Sequence, residues 1–351
     1  MTEMRGVRAR AAEQLAKAGD TGTGAQVVGI IVLIVVLGAG IAIVHRNFLS
    51  RQNFSVLSYE VSTLAMIAMG QMVVLGSGAM DLSVGGVGGL VGVMAGWALV
   101  VSDFPVAAAV ALAVVIGATC GFINGWLIGR LEFSGATAFL VTLATGTFYA
   151  GVTLGLTGAI PYYNLPRHFD ALSDNAVGGV PWMFFVMLLI AAALWFVYAM
   201  TSIGTQNLAL GGNPNAARLC GIRIRRVLVV TFIVSGCLAG IAAIFYTAQF
   251  GAAEPTLGTD WLLPSFAAPI IGGTALSGGR VSVVGTVLGA VFLAEVTDAL
   301  VFLNVSAFWN TFVDGAVILF AITLDVVRRR ISLSFLVNRS TTAGLRKVVY
   351  R

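Results

Sequence analysis

The sequence predicts an all-α polytopic membrane protein with about ten transmembrane helices. The 351 residues are 58% hydrophobic and 10% charged, whereas a soluble chain carries roughly a quarter charged residues. Ten apolar runs are separated by polar connections, and a helix that crosses a bilayer needs about 20 residues of this kind. The 43 glycines suit close packing between helices in lipid, which relies on small residues.

The first apolar run follows a polar N-terminal tail over residues 1–26, predicted to be cytoplasmic. We interpret it as a membrane span. A signal peptide is excluded because the polar region before it is too long and no small-x-small cleavage site precedes His45. The ten runs cover residues 27–44, 54–75, 84–101, 105–129, 136–156, 181–200, 227–249, 262–271, 281–303 and 307–324.

The eighth run, residues 262–271, is short and contains Pro264 and Pro269. It is expected to be a broken or re-entrant helix, which is tolerated inside a membrane where protein covers it. The predicted transmembrane domain spans residues 27–327, and a basic C-terminal tail over residues 328–351 follows it.

The basic residues orient the chain in the membrane. With ten spans and a cytoplasmic N-terminus, 17 of the 20 Lys and Arg residues fall on inner segments, and only Arg46, Arg51 and Arg167 fall outside. This asymmetry is typical of the positive-inside rule. Both termini and the connection over residues 201–226 are therefore predicted to be cytoplasmic. The net charge of +5 follows from this topology, so no nucleic-acid partner is expected.

The connection over residues 201–226 is expected to contain a short helix at 214–220. Asn213 is a favoured N-cap, Pro214 suits the first helical turn, and Gly221 is a typical stop. About two turns of helix are not stable alone, so this helix needs a surface on which to dock. An ordinary cytoplasmic loop, whose arginines only set the orientation, is the alternative.

Two glycine-rich segments, residues 75–86 and 271–280, share a pattern of glycines, Leu-Ser and Gly-Gly. The repetition suggests two related halves, as in many transporters. Asp81 in the first segment is expected to cap the helix that follows it, with a role in transport as the alternative. A phosphate-binding Gly-x-x-x-x-Gly-Lys-[Ser/Thr] loop is absent from the sequence, so ATP chemistry is not expected in this chain.

Carboxylates inside spans are functional candidates by default. Glu295 and Asp298 share one helix face, which leaves open a proton- or sodium-coupled secondary transporter as the alternative function; Glu60 and Asp314 are further acidic residues in or near spans. No paired catalytic groups and no metal-ligand spacing occur, so neither an enzyme nor a bound metal or cofactor is expected.

Several blocks resemble the ribose/xylose-type sugar ABC transporter permeases of the branched-chain amino-acid/sugar permease superfamily. Residues 80–85, Met-Asp-Leu-Ser-Val-Gly, are similar to that family's Ile-Asp-Leu-Ser-Val-Gly signature and contain the motif residues Asp81, Ser83 and Gly85. Further blocks follow in the family's order at residues 121–125, 139–143, 210–222 and 271–280. The chain departs from the pattern at Cys220, where serine is usual.

The resemblance implies an importer's permease subunit in the bacterial plasma (inner) membrane. Its partners would be a second permease subunit, identical or similar, a cytoplasmic ATP-binding subunit that holds ATP and Mg²⁺, and an extracytoplasmic sugar-binding protein. The short helix would couple the permease to the ATPase. The residues implied in coupling are Gly211, Gly212, Asn213, Pro214, Ala216, Ala217, Arg218 and Gly221.

Four residues are predicted to line the substrate pathway, because a permease supplied by a binding protein needs only a mostly apolar lining with a few polar and aromatic groups. These residues are Asn124, Phe139, Thr142 and Phe266. Ordinary helix packing is the alternative for each of them. The substrate is expected to be a sugar or a related polyol.

Overall fold

The computed structural model describes residues 24, 26–131, 133–171, 173, 175–177 and 179–306, with 309, 312, 313, 315, 316, 319 and 323. Most of the predicted N-terminal tail, the whole predicted C-terminal tail and most of the tenth apolar run lie outside these residues. The elements within them are α1 (Gln26–Val44), a 3-10 turn (Arg46–Leu49), α2 (Arg51–Gly76), α3 (Val84–Val100), α4 (Val106–Arg130), α5 (Gly135–Thr157), α6 (Arg167–Asp170), β1 (Asn175–Val177), β2 (Val180–Pro181), α7 (Trp182–Met200), α8 (Ser202–Gly212), α9 (Pro214–Leu219), α10 (Ile224–Phe250), α11 (Leu262–Ile271) and α12 (Val283–Phe302).

Seven of these helices are long and apolar enough to cross a membrane: α1, α2, α4, α5, α7, α10 and α12. The shorter apolar helices are α3, with 17 residues, and α11, with 10. The polytopic helical class is thereby confirmed, whereas the number of ten spans, the two related halves and the orientation stay predictions. The small antiparallel pair β1–β2 departs from a purely helical fold.

The two most buried spans form the centre of the molecule. In the apolar window of α2, 83% of the residues are buried, and in that of α10 the share is 67%. The corresponding share is 11% for both α1 and α7, which therefore lie at the periphery. The buried faces of α3, α11 and α12 pack around this centre in one continuous apolar core.

Helices α4 and α10 are in close contact because α4 presents a small residue at every fourth position. Ala109, Ala113, Gly117, Gly121 and Gly125 are all buried on this face. A Cβ added at Gly125 would lie 2.7 Å from a backbone Cα of α10, so a side chain there would force the helices apart. This arrangement is the small-residue packing that the glycine content predicted.

The predicted broken span is a short helix preceded by buried non-helical chain. Helix α11 contains Pro269 without interruption, and its ten residues reach only about 15 Å, half of a bilayer core of about 30 Å. The preceding segment, residues 251–261, packs Gly258 against Gly85 at the start of α3. Protein therefore covers part of this irregular backbone, whereas Thr256, Thr259 and Asp260 are exposed.

The loop that follows α5 and the loop that follows α10 meet at one end of the bundle. The Tyr162 amide donates to the Ala253 carbonyl at 3.1 Å, and the Ala253 amide donates back to the Tyr162 carbonyl at 2.9 Å. The C-terminus of α10 leads into the second loop. Gly179, which follows the first loop, lies against Arg51 at the start of α2. Asn53 of α2 bonds Asp298 near the C-terminus of α12, so both helix ends lie at the same end of the bundle. We call it the outer end, after the predicted orientation.

Candidate functional site

The short helix in the polar connection is α9, and its ends are defined as the sequence predicted. The Asn213 side chain caps the N-terminus, its oxygen accepting from the amides of Asn215 at 3.0 Å and Ala216 at 3.1 Å. Gly221 has φ +81°, and its amide donates to the Arg218 carbonyl at 3.0 Å. The next amide, that of Ile222, reaches back to close a Schellman motif. Both helix ends are thus held by local hydrogen bonds.

The two faces of α9 differ in exposure. Ala217 is 3% exposed and packs inward, so its side chain supports the helix and presents no surface in this conformation. Leu219 is 90% exposed, and Pro214, Ala216 and Arg218 are exposed beside it. The described residues therefore leave the large apolar side chain of Leu219 uncovered.

The glycines next to α9 form a backbone-to-backbone contact that we call the coupling junction, consisting of Gly76, Gly78, Gly211, Gly278 and Gly279. The Gly279 amide donates to the Gly76 carbonyl at 3.0 Å. A Cβ at Gly278 would lie 2.7 Å from the Gly78 Cα, and one at Gly211 would lie 2.6 Å from the Gly279 amide nitrogen. The end of α8 therefore touches both glycine-rich segments at once, with no side chain between the backbones.

A single buried side chain, that of Asn207, ties α8 to three membrane helices. Its amide donates to the Val73 carbonyl of α2 at 3.2 Å and to the Thr231 hydroxyl of α10 at 2.9 Å. Its oxygen accepts from the Tyr198 hydroxyl of α7 at 3.1 Å. A displacement of α8 therefore stretches hydrogen bonds to α2, α7 and α10 together.

The turn between α2 and α3 contains a second buried network, which we call the Asp81 network. One Asp81 carboxylate oxygen accepts from the Ser83 amide at 2.9 Å and from the Ser83 hydroxyl at 2.6 Å, and the other accepts from Ser235 of α10 at 2.9 Å. The prediction that Asp81 caps α3 was wrong, because the N-cap residue is Ser83 and its side chain makes no cap bond. Asp81 instead links the turn to α10.

Two of the predicted pathway residues belong to the Asp81 network. The Asn124 amide of α4 donates to the Ser83 hydroxyl at 2.7 Å, and the Thr142 hydroxyl of α5 accepts from the Leu82 amide at 3.1 Å. Thr142 is fully buried and Asn124 is 1% exposed, so neither reaches a surface in this conformation. Their role in the pathway stays a prediction, and their observed contacts hold the turn.

The other two predicted pathway residues lie apart from this network. Phe139 on α5 is 40% exposed. Phe266 on α11 packs against a small cluster around Leu75 and Ile270. Gly85, the third residue of the predicted motif, contacts Gly258 backbone to backbone, so a side chain at this position has no room.

The acidic residues of the alternative function lie in the outer half of α12. Glu295 is 5% exposed, and one of its carboxylate oxygens has no hydrogen-bond partner among the described residues. Asp298 accepts from the Asn53 amide of α2 at 2.7 Å, while Asp314 lies outside the described residues. Within the described part of the chain, no group of three His, Cys, Asp or Glu side chains is placed to hold a metal ion.

The sequence did not single out three residues that the structure makes central: Asn207, Ser235 and Gln71. The Gln71 amide, oriented with its nitrogen toward the Asp81 carbonyl, pairs with both backbone groups of Asp81 at 3.1 and 3.3 Å. A polar amide within an apolar run was the available signal for Gln71. Asn207 lay in a segment interpreted as a loop, and Ser235 was one of many small residues in its run.

Comparison with known proteins identifies the family. The family model described as "Branched-chain amino acid transport system / permease component" matches residues 53–322, more than half of the chain. The chain belongs to this family. Since seven helices among its described residues are long and apolar enough to cross a membrane, it is a multi-pass protein of the bacterial plasma (inner) membrane, as predicted.

Three relatives match most of the chain. The ribose import permease protein RbsC of Bacillus subtilis is 33% identical over 300 residues, 85% of this chain and 90% of that protein. The D-allose transport system permease protein AlsC of Escherichia coli K12 is 32% identical over 278 residues, 79% and 84% of the two chains. The autoinducer 2 import system permease protein LsrC of Yersinia pseudotuberculosis is 32% identical over 295 residues, 83% and 82%. The resemblance to sugar ABC permeases is thereby confirmed.

Proposed function

We propose that this chain is the transmembrane permease subunit of an ATP-driven importer for a sugar or related polyol. It would receive its substrate from an extracytoplasmic binding protein and pair with a second permease subunit. A separate cytoplasmic ATPase would supply the energy through α9. The family and the names of the relatives, which include ribose and D-allose permeases, support the substrate class.

The observation that carries the coupling role is the exposed Leu219 on a helix that is otherwise fixed at both ends. In the proposed assembly this side chain enters an apolar groove of the ATPase. Arg218 and Arg223, both exposed nearby, would contribute electrostatic contacts at the rim. Such a contact buries an apolar residue that the isolated chain leaves in water.

In the proposed mechanism, the coupling junction transmits the displacement of α9 to the membrane helices. When the ATPase moves α9, α8 moves with it, and Gly211 presses directly on Gly76 and Gly279. Because backbone meets backbone there, the displacement reaches the turns before α3 and α12 without being absorbed by flexible side chains. The Asp81 network then passes it to α4, α5 and α10. Rigid elements with discrete packings are the usual carriers of such motion.

An ion-coupled carrier is the second candidate, and the unpaired oxygen of Glu295 is the observation that favours it. A cation or proton bound there would satisfy this oxygen. One measurement, uptake in the presence of an ionophore, distinguishes the two functions. Uptake by an importer of the proposed type follows ATP and survives collapse of the ion gradient by an ionophore, whereas uptake by a carrier stops.

The coupling role is tested with Leu219→Ser and with Leu131→Ser as the matched control. Leu131 is 54% exposed at the end of α4, on the same predicted side of the membrane. Burying a leucine contributes about 1.5–3 kcal/mol, so Leu219→Ser should weaken retention of the co-expressed ATPase subunit by roughly ten- to a hundredfold. Leu131→Ser should leave it unchanged, and neither change should lower the thermal unfolding temperature.

Retention is measured by affinity purification of the tagged permease in mild detergent, followed by quantification of the ATPase chain. Normal retention and normal ATP-driven uptake in Leu219→Ser would refute the docking surface on α9. Absence of any ATPase from a wild-type preparation whose membranes still take up sugar would refute the importer as a whole.

A further inference from the structure

A pocket of about 410 Å³ lies in the outer half of the molecule and takes no part in the network described above. It lies between α2, α10, α12 and the segment that leads into α11. Its polar and aromatic lining includes Glu60, Thr63, Tyr246, Gln249, Asp260 and Trp261. The pocket is separate from Asn124 and Thr142, which the sequence predicted for the pathway.

The lining combines two kinds of surface. The rings of Tyr246 and Trp261 lie 6.3 Å apart at 69° and provide an apolar wall. Glu60 and Asp260 supply carboxylate acceptors, and Gln249 supplies both a donor and an acceptor. A monosaccharide has the matching chemistry, with hydroxyl groups around its edge and C–H groups on a face that packs on an aromatic ring.

One lining residue has an unfilled hydrogen-bonding capacity. Thr63 is 8% exposed, and its buried hydroxyl has no partner among the described residues. Glu60 likewise receives no hydrogen bond and no salt bridge within the described part of the chain. Leaving a buried polar group unpaired is unfavourable, and a bound hydroxyl compound would supply the missing partner. Polar groups of this kind around an apolar wall are typical of small-molecule sites.

The location of the pocket fits a substrate that arrives from outside. Gln249 is one residue from the C-terminus of α10, and Asp260 ends the loop that pairs with Tyr162 at the outer end. Thr63 on α2 and Trp261 at the start of α11 are more buried, at 8% and 5% exposed. The volume falls at the low end of the range for ligand pockets, roughly 300–1,000 Å³, and so fits a single sugar ring better than an oligosaccharide.

We propose that this pocket is a binding site for one monosaccharide or related polyol on its way from the binding protein into the membrane. The proposal rests on the importer function proposed above and adds the place where this chain itself contacts the substrate. The hydroxyl of Thr63 bonds a sugar hydroxyl, Gln249 and the carboxylates bond others, and Tyr246 with Trp261 packs against the ring.

The test compares two buried threonines that both have an unpaired hydroxyl. Thr63 lines the pocket, whereas Thr247 on α10 faces Gly92 of α3 and does not. Valine replaces threonine with almost no change in shape, and removing an unpaired buried hydroxyl does not destabilise a fold. A structural effect would therefore be the same in Thr63→Val and Thr247→Val, while an effect on sugar binding is confined to Thr63.

The complete transporter, with ATPase and binding protein, is reconstituted in liposomes and supplied with radiolabelled aldopentoses and aldohexoses, including D-ribose and D-allose. At subsaturating sugar-loaded binding protein, Thr63→Val should take up the transported sugar roughly fivefold more slowly, the equivalent of one lost hydrogen bond. Thr247→Val should match the wild type. Equal uptake in all three proteins, or equal loss in both variants, would overturn the proposal.

A second pair of variants distinguishes a loss of sugar binding from misfolding. Gln249→Met removes the amide at nearly constant length, and Gln52→Met makes the same change at an exposed residue outside the pocket. Only Gln249→Met should slow uptake, and uptake at the wild-type rate by this variant counts against the site. If the wild-type transporter hydrolyses ATP but moves none of the sugars, the proposed substrate class fails along with the pocket. Wild-type uptake with unaffected pocket variants overturns the pocket alone.

Discussion

The two ends of this molecule differ in how closely they are packed. At the coupling junction, Gly211 touches Gly76 and Gly279 backbone to backbone, and the neighbouring polar side chains have partners. At the outer end, α2 and α12 border a pocket of about 410 Å³. Among the described residues, the buried side-chain atoms without a hydrogen-bond partner belong to Thr63, Thr247 and Glu295, and none of these lies at the junction.

The difference indicates which end of the chain can adjust its packing. A contact between backbones cannot be adjusted by a rotamer change, so the junction transmits displacement or breaks. A pocket with unpaired groups is incomplete without a ligand, so its lining gains hydrogen bonds when one enters. Under the proposed function, the same chain joins a rigid end that transmits displacement to an outer end that accepts a substrate.

The largest effect is expected from a side chain placed within the junction. Gly211→Val would bring its Cβ into the Gly76 carbonyl and to 2.6 Å from the Gly279 nitrogen, and neither backbone can move without the helix attached to it. We expect a destabilisation of about 3 kcal/mol or more, the upper range for overpacking, measured as a loss of the monodisperse peak in detergent and a lower unfolding temperature.

The neighbouring Gly212 provides the matched control, because a Cβ there meets nothing within 4 Å. Gly212→Val should unfold at close to the wild-type temperature. Equal stability of the Gly211 and Gly212 variants would show that the junction is loosely packed, and the contrast between the two ends would then disappear.

A smaller effect is expected from a hydroxyl of the Asp81 network. The Ser83 hydroxyl donates to Asp81 and accepts from Asn124, so Ser83→Ala leaves the buried Asn124 amide nitrogen without a partner among the described residues. We expect a loss of about 2 kcal/mol, measured by thermal unfolding. Ser62 is equally buried, but its hydroxyl bonds only the Ser58 carbonyl of its own helix. Ser62→Ala should therefore cost less than about 0.5 kcal/mol, and similar losses in both variants would contradict a linking role for Ser83.

The sequence predicted the elements that follow from periodic or local chemistry. Apolar runs predicted the seven long apolar helices and the shorter α3 and α11. Asn213, Pro214 and Gly221 predicted both ends of α9, because caps depend only on a few neighbouring residues. The bond between Asp81 and Ser235 joins residues that are 154 positions apart. No local pattern encodes such a pairing, so the sequence suggested a cap where the structure has a link between helices.

The same limit applies to the outer pocket. Thr63, Gln249 and Trp261 come from three separate segments of the chain, and each alone is an ordinary residue of an apolar helix or its end. Their proximity depends on how α2, α10 and α11 pack. The sequence pointed instead to Asn124 and Thr142, which the structure buries completely or nearly so and whose role in the pathway stays a prediction.

The smallest effect, and one of opposite sign, is expected from Glu60→Gln at the outer end. Glu60 is half-buried on α2, where an ionised carboxylate is unfavourable, and no hydrogen bond to Glu60 is lost within the described residues when the charge is removed. We expect the free energy of unfolding to stay within about 0.5 kcal/mol of the wild type or to rise, measured by thermal unfolding of the permease in detergent without sugar. Glu254→Gln, on the outer loop, is the control and should have no effect. A loss as large as that of Ser83→Ala would mean that Glu60 is a structural residue with a partner, and the outer end would then be packed by the same rule as the coupling junction.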